Sequence, residues 1–142
     1  MSALNPAIET SLRLAAGAQL VLALVNLALV RLMKWKPEID RMPLLLREVF
    51  QVHLWFISIT LTIFGMLTWQ FAAEIAAGAH PLCSWLAAAI GAFWGIRTVL
   101  QITYYSSSHW RGNAGRTWIH AGCLVFYGSL AVTYLLAALG SS

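Results

Sequence analysis

Charged residues are scarce in this chain of 142 residues, at 10% of the sequence, whereas hydrophobic residues make up 60%. A soluble domain of this size needs a polar surface, so the composition excludes an ordinary soluble domain. A helix that crosses a bilayer needs about 20 apolar residues, and the chain has room for four such helices. The sequence therefore predicts an all-α integral membrane protein, a four-helix antiparallel transmembrane bundle that forms a single domain over residues 1–142.

Several catalytic signatures are also missing from the sequence. It has no H-E-x-x-H, no cluster of histidine boxes, no G-x-S-x-G and, with two cysteines, no C-x-x-C. A proton-coupled transporter is disfavoured as well, because no carboxylate falls at the middle of a predicted span. The sequence therefore identifies no catalytic residue; an enzyme is an open but unfavoured function. The net charge of +4 comes without a nucleic-acid recognition module, so no nucleic-acid partner is expected.

The apolar segments define four predicted spans, at approximately 10–33, 44–71, 82–105 and 117–139. The polar stretch 34–41 is predicted to be the first loop and 106–116 the third. Between spans two and three, Glu74, Gly78, His80 and Pro81 indicate a short turn.

The basic residues orient these spans. They flank loops one and three, whereas the second loop and the C-terminal tail contain none; the residues are Arg31, Lys34, Lys36, Arg41, Arg47, Arg111 and Arg116. The positive-inside rule assigns such loops to the cytoplasm, so both termini are predicted on the non-cytoplasmic side. We expect a multi-pass protein of a bacterial inner (cytoplasmic) membrane.

Polar residues recur at helical spacing on each span, and a bundle would turn these stripes inward, away from lipid. On spans two, three and four, most of the ionisable members lie toward the predicted cytoplasmic end. This pattern predicts a cationic site between those spans, open to the cytoplasm. Its predicted ligand-binding residues are Arg47, Gln51, Arg97, Gln101, Tyr104, Arg116 and His120.

Arg97 is the most informative of these residues, because a charge within the hydrocarbon region costs at least ~3 kcal/mol. One interpretation is that Arg97 snorkels toward the interface and pairs with Glu48. The other is that Arg97 binds a ligand, since a guanidinium forms a bidentate fork with carboxylate or phosphate. We therefore predict an anionic or polar-headed hydrophobic ligand: a lipid, a fatty acid or a quinone.

Two other functions stay open at this point. The first is a b-type haem protein with His53 and His120 as axial ligands, since both lie at similar predicted depth on different spans. The helical wheel opposes it, because His53 points about 160° away from Gln51. His120 could equally move protons or simply hydrogen-bond to a neighbouring helix.

The second alternative is a structural or accessory subunit of a larger membrane complex, with polar stripes that serve only interhelical hydrogen bonds. Membrane lipids are the expected surroundings, and a homo-oligomer or a larger complex is the alternative partner. Gly91 and Gly95 form a G-x-x-x-G that suits either an internal helix contact or a dimer.

Overall fold

A computed structural model of the chain describes residues 4–104 and 114–140, apart from the side chains of Leu4, Asn5 and Arg116. Helices account for 90% of this described part, which contains no strand, so the all-α prediction is confirmed. The helices are α1 (Leu4–Leu32), α2 (Lys36–Asp40), α3 (Leu44–Gln70), α4 (Ala72–Ala77), α5 (Pro81–Thr103) and α6 (Ala114–Leu139).

Four of these helices are long and apolar enough to cross a membrane. The qualifying segments are Pro6–Leu32, Leu44–Gln70, Pro81–Thr103 and Thr117–Leu139. The prediction of an integral multi-pass membrane protein is confirmed at this level. The antiparallel arrangement and the side of the membrane that holds the termini stay predictions.

The connections differ from the sequence-based prediction in two places, since short helices occupy segments expected to be loop or turn. Helix α2 lies within the predicted first loop because Pro37 suits the first turn of a helix and Lys36 bonds Asp40 one turn later, at 3.2 Å. Helix α4 lies within the predicted second turn, where Ala72, Ile75 and Ala76 are buried on one side. A buried apolar side outweighs the turn signals of the residues that follow it.

The last turn of α1 and that of α4 end in the same backbone motif. After α4, Gly78 adopts the left-handed conformation at φ 58°, and the N–H of Ala79 bonds to the carbonyl of Glu74. After α1, Lys34 adopts the same conformation at φ 54°, and the N–H of Trp35 bonds to the carbonyl of Val30. Glycine is the usual residue at this position because a Cβ is strained there. Lys34 is the only non-glycine residue with positive φ among residues 4–104 and 114–140.

The described chain forms two compact units. One, the α1–α3 unit, spans Arg13–Gln70; the other, the α5–α6 unit, holds residues 4–12 and the described residues from Phe71 onward. In the α1–α3 unit, Asn26 of α1 donates to the carbonyl of Leu54 at 3.0 Å and to Oγ of Ser58 at 2.9 Å, both on α3. These bonds join the polar stripes of the first two spans.

Both units contain a glycine at a close helix–helix contact. A Cβ on Gly65 of α3 would lie 2.8 Å from Cγ of Leu20 on α1, and one on Gly91 of α5 would lie 3.0 Å from Cγ of Leu135 on α6. A Cβ on Gly95 would meet nothing within 4 Å. Of the two glycines in the G-x-x-x-G, Gly91 therefore serves an internal contact.

Candidate functional site

The α5–α6 unit brings three of the predicted site residues into one hydrogen-bonded chain. Arg97 of α5 donates from Nη1 to Oε1 of Gln101, one turn later, at 2.9 Å. The side-chain nitrogen Nε2 of Gln101 lies 2.9 Å from Nδ1 of His120 on α6. Gln101 is 5% exposed, and Arg97 and His120 are half-buried. We call these residues the Arg97–Gln101–His120 chain.

The direction of this chain follows from the chemistry of its first member. A guanidinium only donates hydrogen bonds, so the amide oxygen of Gln101 is the atom that faces Arg97, one turn earlier on α5. The amide nitrogen of Gln101, which also only donates, then faces Nδ1 of His120. Nδ1 is therefore the acceptor and carries no proton, which places the ring proton of His120 on Nε2.

Aromatic side chains pack next to Arg97. Cζ of Arg97 lies 4.7 Å from the centre of the Tyr127 ring, a cation–π contact. Tyr127 in turn stacks on Trp94, with ring centres 5.4 Å apart and an interplanar angle of 21°. Trp94 is 2% exposed and meets Phe126 edge to face. The amide of Gln101 and the ring of Tyr127 thus both orient the guanidinium.

Two further predicted site residues lie in the other unit. Arg47 and Gln51 of α3 line a cavity of about 940 Å³ within the α1–α3 unit. Arg47 approaches Asp40 there, with Nη1 3.9 Å from Oδ1. A single site that joins Arg47 and Gln51 to the Arg97–Gln101–His120 chain stays a prediction, as does an Arg97–Glu48 pair.

The last two predicted site residues are Tyr104 and Arg116. Tyr104 bonds the carbonyl of Leu100 through its backbone at the end of α5, and 82% of its surface is exposed. Arg116 belongs to α6, but its side chain lies outside the described residues.

Two aromatic residues near Arg97, Tyr127 and Trp94, were not among the predicted site residues. Tyr127 was detectable, because it lies seven residues after His120 on the same helical face. Trp94 was not, since a tryptophan in an apolar run resembles any other core residue.

The haem alternative gains no support from the surroundings of His120. A metal-ligating histidine donates a hydrogen bond from the ring nitrogen that does not bind the metal. Here Nδ1 accepts a hydrogen bond, and Nε2 carries the proton that iron would have to replace. His53 is exposed in a hollow of α3 that Glu48 and Phe56 also line. Among residues 4–104 and 114–140, no group of three or more His, Cys, Asp or Glu side chains is placed to hold a metal ion.

The chain was compared with family models, with curated proteins and with solved structures, and none of them matches it.

Proposed function

We propose that this protein is a multi-pass membrane protein that binds an amphiphile, with the polar head of the ligand at the Arg97–Gln101–His120 chain. The observation that carries the proposal is the guanidinium of Arg97, which lies within a membrane-spanning helix and is oriented by Gln101 and the Tyr127 ring. Keeping a charge at this depth costs at least ~3 kcal/mol, and a cation–π contact returns about 0.5–2 kcal/mol. An acceptor on a ligand would offset more of that cost.

The donors at this site define the head group. Arg97 has five N–H donors, and His120 has its ring proton on Nε2. A head that only accepts hydrogen bonds suits such a site: a carboxylate, a phosphate or a quinone carbonyl. The Tyr127 ring, which stacks on the buried Trp94, suits the apolar part of the ligand next to its head.

Oleate binding to the detergent-solubilised protein, measured by native mass spectrometry, tests this function. Loss of a hydrogen bond to a charged group costs about 1.5–3 kcal/mol, so Arg97→Gln should weaken oleate binding by about tenfold to 150-fold. Arg97→Lys should bind oleate less tightly than the wild type but more tightly than Arg97→Gln, because it keeps the charge and loses the bidentate fork. Oleylamine, with the same tail and a cationic head, should bind far more weakly than oleate.

Arg41→Gln is the matched control. It removes an exposed cation that belongs neither to the Arg97–Gln101–His120 chain nor to the lining of the described cavities. It should leave oleate binding unchanged. If the wild-type protein does not bind oleate, or if Arg97→Gln binds it as tightly, the proposal fails.

The proton position on His120 gives a test that needs no ligand. Nitrogen-15 NMR of the ligand-free protein should show His120 protonated on Nε2, as should His80, whose Nδ1 accepts from the backbone N–H of Leu82 at 3.1 Å. In Gln101→Glu, a carboxylate that only accepts should bring a proton to Nδ1 of His120 and leave His80 unchanged. A wild-type His120 with its proton on Nδ1 would contradict the direction of the chain.

A further inference from the structure

The cavity in the α1–α3 unit is lined by more basic than acidic side chains. It lies among the end of α1, helix α2 and the beginning of α3, and has a volume of about 940 Å³. Four basic and two acidic side chains line it, which leaves an excess of positive charge; they are Arg31, Lys34, Lys36, Arg47, Asp40 and Glu48. We call it the basic cavity.

The acidic residues of the basic cavity do not neutralise all of its cations. Asp40 contacts Lys36 at 3.2 Å and Arg47 at 3.9 Å. The side chains of Lys36 and Asp40 are more than half exposed to solvent, and that of Arg47 is 42% exposed. Exposed pairs of this kind contribute little, so an incoming anion can compete for the same cations. Arg31 and Lys34 are both exposed and make no ion pair within the described part of the chain.

The backbone at Lys34 is held in a conformation that suits glycine. Helix α4 ends in the same motif with Gly78 at the equivalent position, so this chain itself shows the unstrained solution. A lysine there gives up backbone stability and places a cation at the wall of the basic cavity. Strain of this kind is typical of positions that serve a function.

The basic cavity also has an apolar side. Leu27 and Val30, which belong to the membrane-spanning segment of α1, line it together with the cations. A free anion would gain nothing from that side, whereas an amphiphile can place its head on the cations and its chain along α1. The cations lie in the first loop or at the adjoining ends of α1 and α3. The positive-inside rule assigns this loop to the cytoplasmic side of the membrane, where the leaflet contains anionic lipids.

We infer that the basic cavity binds the phosphate head group of an anionic phospholipid, as a site separate from the Arg97–Gln101–His120 chain. Arg31 and Lys34 supply the charge that is not already paired with Asp40, Arg47 exchanges Asp40 for the phosphate, and Leu27 and Val30 contact the first part of an acyl chain.

Lys34→Gly separates binding from folding, because it removes the cation and relieves the backbone strain. Full-length protein in bilayer nanodiscs of dioleoyl phosphatidylcholine, with a minor share of dioleoyl phosphatidylglycerol, would be analysed by native mass spectrometry for the lipid retained. The wild-type protein should retain phosphatidylglycerol in preference. Each cation near an anionic surface contributes about 1 kcal/mol, so Lys34→Gly should lower this preference about fivefold while its Tm stays equal or rises. Adding Arg31→Gln should lower it about 25-fold in total.

One control completes the test. Arg41→Gln removes a neighbouring cation that does not line the cavity, so it should keep the wild-type preference. A preference that survives Lys34→Gly with Arg31→Gln, or that Arg41→Gln removes equally, would overturn the inference. Displacement of phosphatidylglycerol by millimolar inorganic phosphate would overturn it too, because the site would then recognise free phosphate rather than a lipid.

Discussion

The α1–α3 pair and the α5–α6 pair each pack two helices closely together, but with different side chains. Each has one glycine at a close contact, Gly65 in the first and Gly91 in the second. In the first pair Asn26 bonds to Leu54 and Ser58 across the two helices, whereas in the second pair the Arg97–Gln101–His120 chain links α5 to α6 and includes a charged residue. Neutral bonds suffice for holding helices together in lipid, and the cost of a guanidinium there is the reason we propose a ligand for the second pair.

The aromatic core is the first point on which the two pairs differ. Trp94 of α5 is buried, whereas the buried residues of α3 include no aromatic side chain. Trp94→Ala should destabilise the protein by about 3 kcal/mol, at the low end for such a truncation because lipid is as apolar as the helix interface. Unfolding in sodium dodecyl sulfate, followed by circular dichroism, measures it. Trp85→Ala, at a residue 75% exposed, should change stability little, and an equal loss there would contradict a specific aromatic core.

The glycine contacts are the feature that the two pairs share. Gly65→Ala and Gly91→Ala should each cost about 1–3 kcal/mol, because the new Cβ meets Leu20 or Leu135 at 3.0 Å or less. Gly95→Ala should be neutral or stabilising by up to ~1 kcal/mol, since its Cβ meets nothing and alanine favours helix. The same unfolding assay compares the three. If Gly95→Ala is as costly as Gly91→Ala, the G-x-x-x-G contacts something beyond α6, such as a second copy of the chain.

The polar bonds should give the smallest changes in stability and the clearest functional contrast. Asn26→Leu removes two interhelical bonds worth ~0.6 kcal/mol each and should cost about 1 kcal/mol without affecting oleate binding. Gln101→Leu should cost a similar amount but weaken oleate binding, because Arg97 and His120 lose the group that orients them. Equal oleate binding by the two variants would remove the distinction between a packing bond and a binding site.

The sequence was sufficient to predict the four spans, because an apolar run of about 20 residues is typical of a helix that crosses a membrane. It was not sufficient for α2 and α4, where helices of five and six residues depend on local pairing and burial rather than on periodicity. The predicted contact between neighbouring polar stripes is present for Gln101 with His120. Helical spacing also placed Arg47 and Gln51 in the inward polar stripe of span two, but spacing gives direction and not depth. Ser58 is buried, whereas Gln51 is exposed and lines the basic cavity.

The left-handed backbone at Lys34 has a practical consequence for anyone who stabilises this protein. A screen for heat-resistant variants would select glycine at this position, since Gly78 already shows that glycine suits the motif. Such a variant would purify well and withstand detergent, yet it would have lost a cation of the basic cavity. A structure determined from it would then be a poor guide to the lipids that surround the native protein.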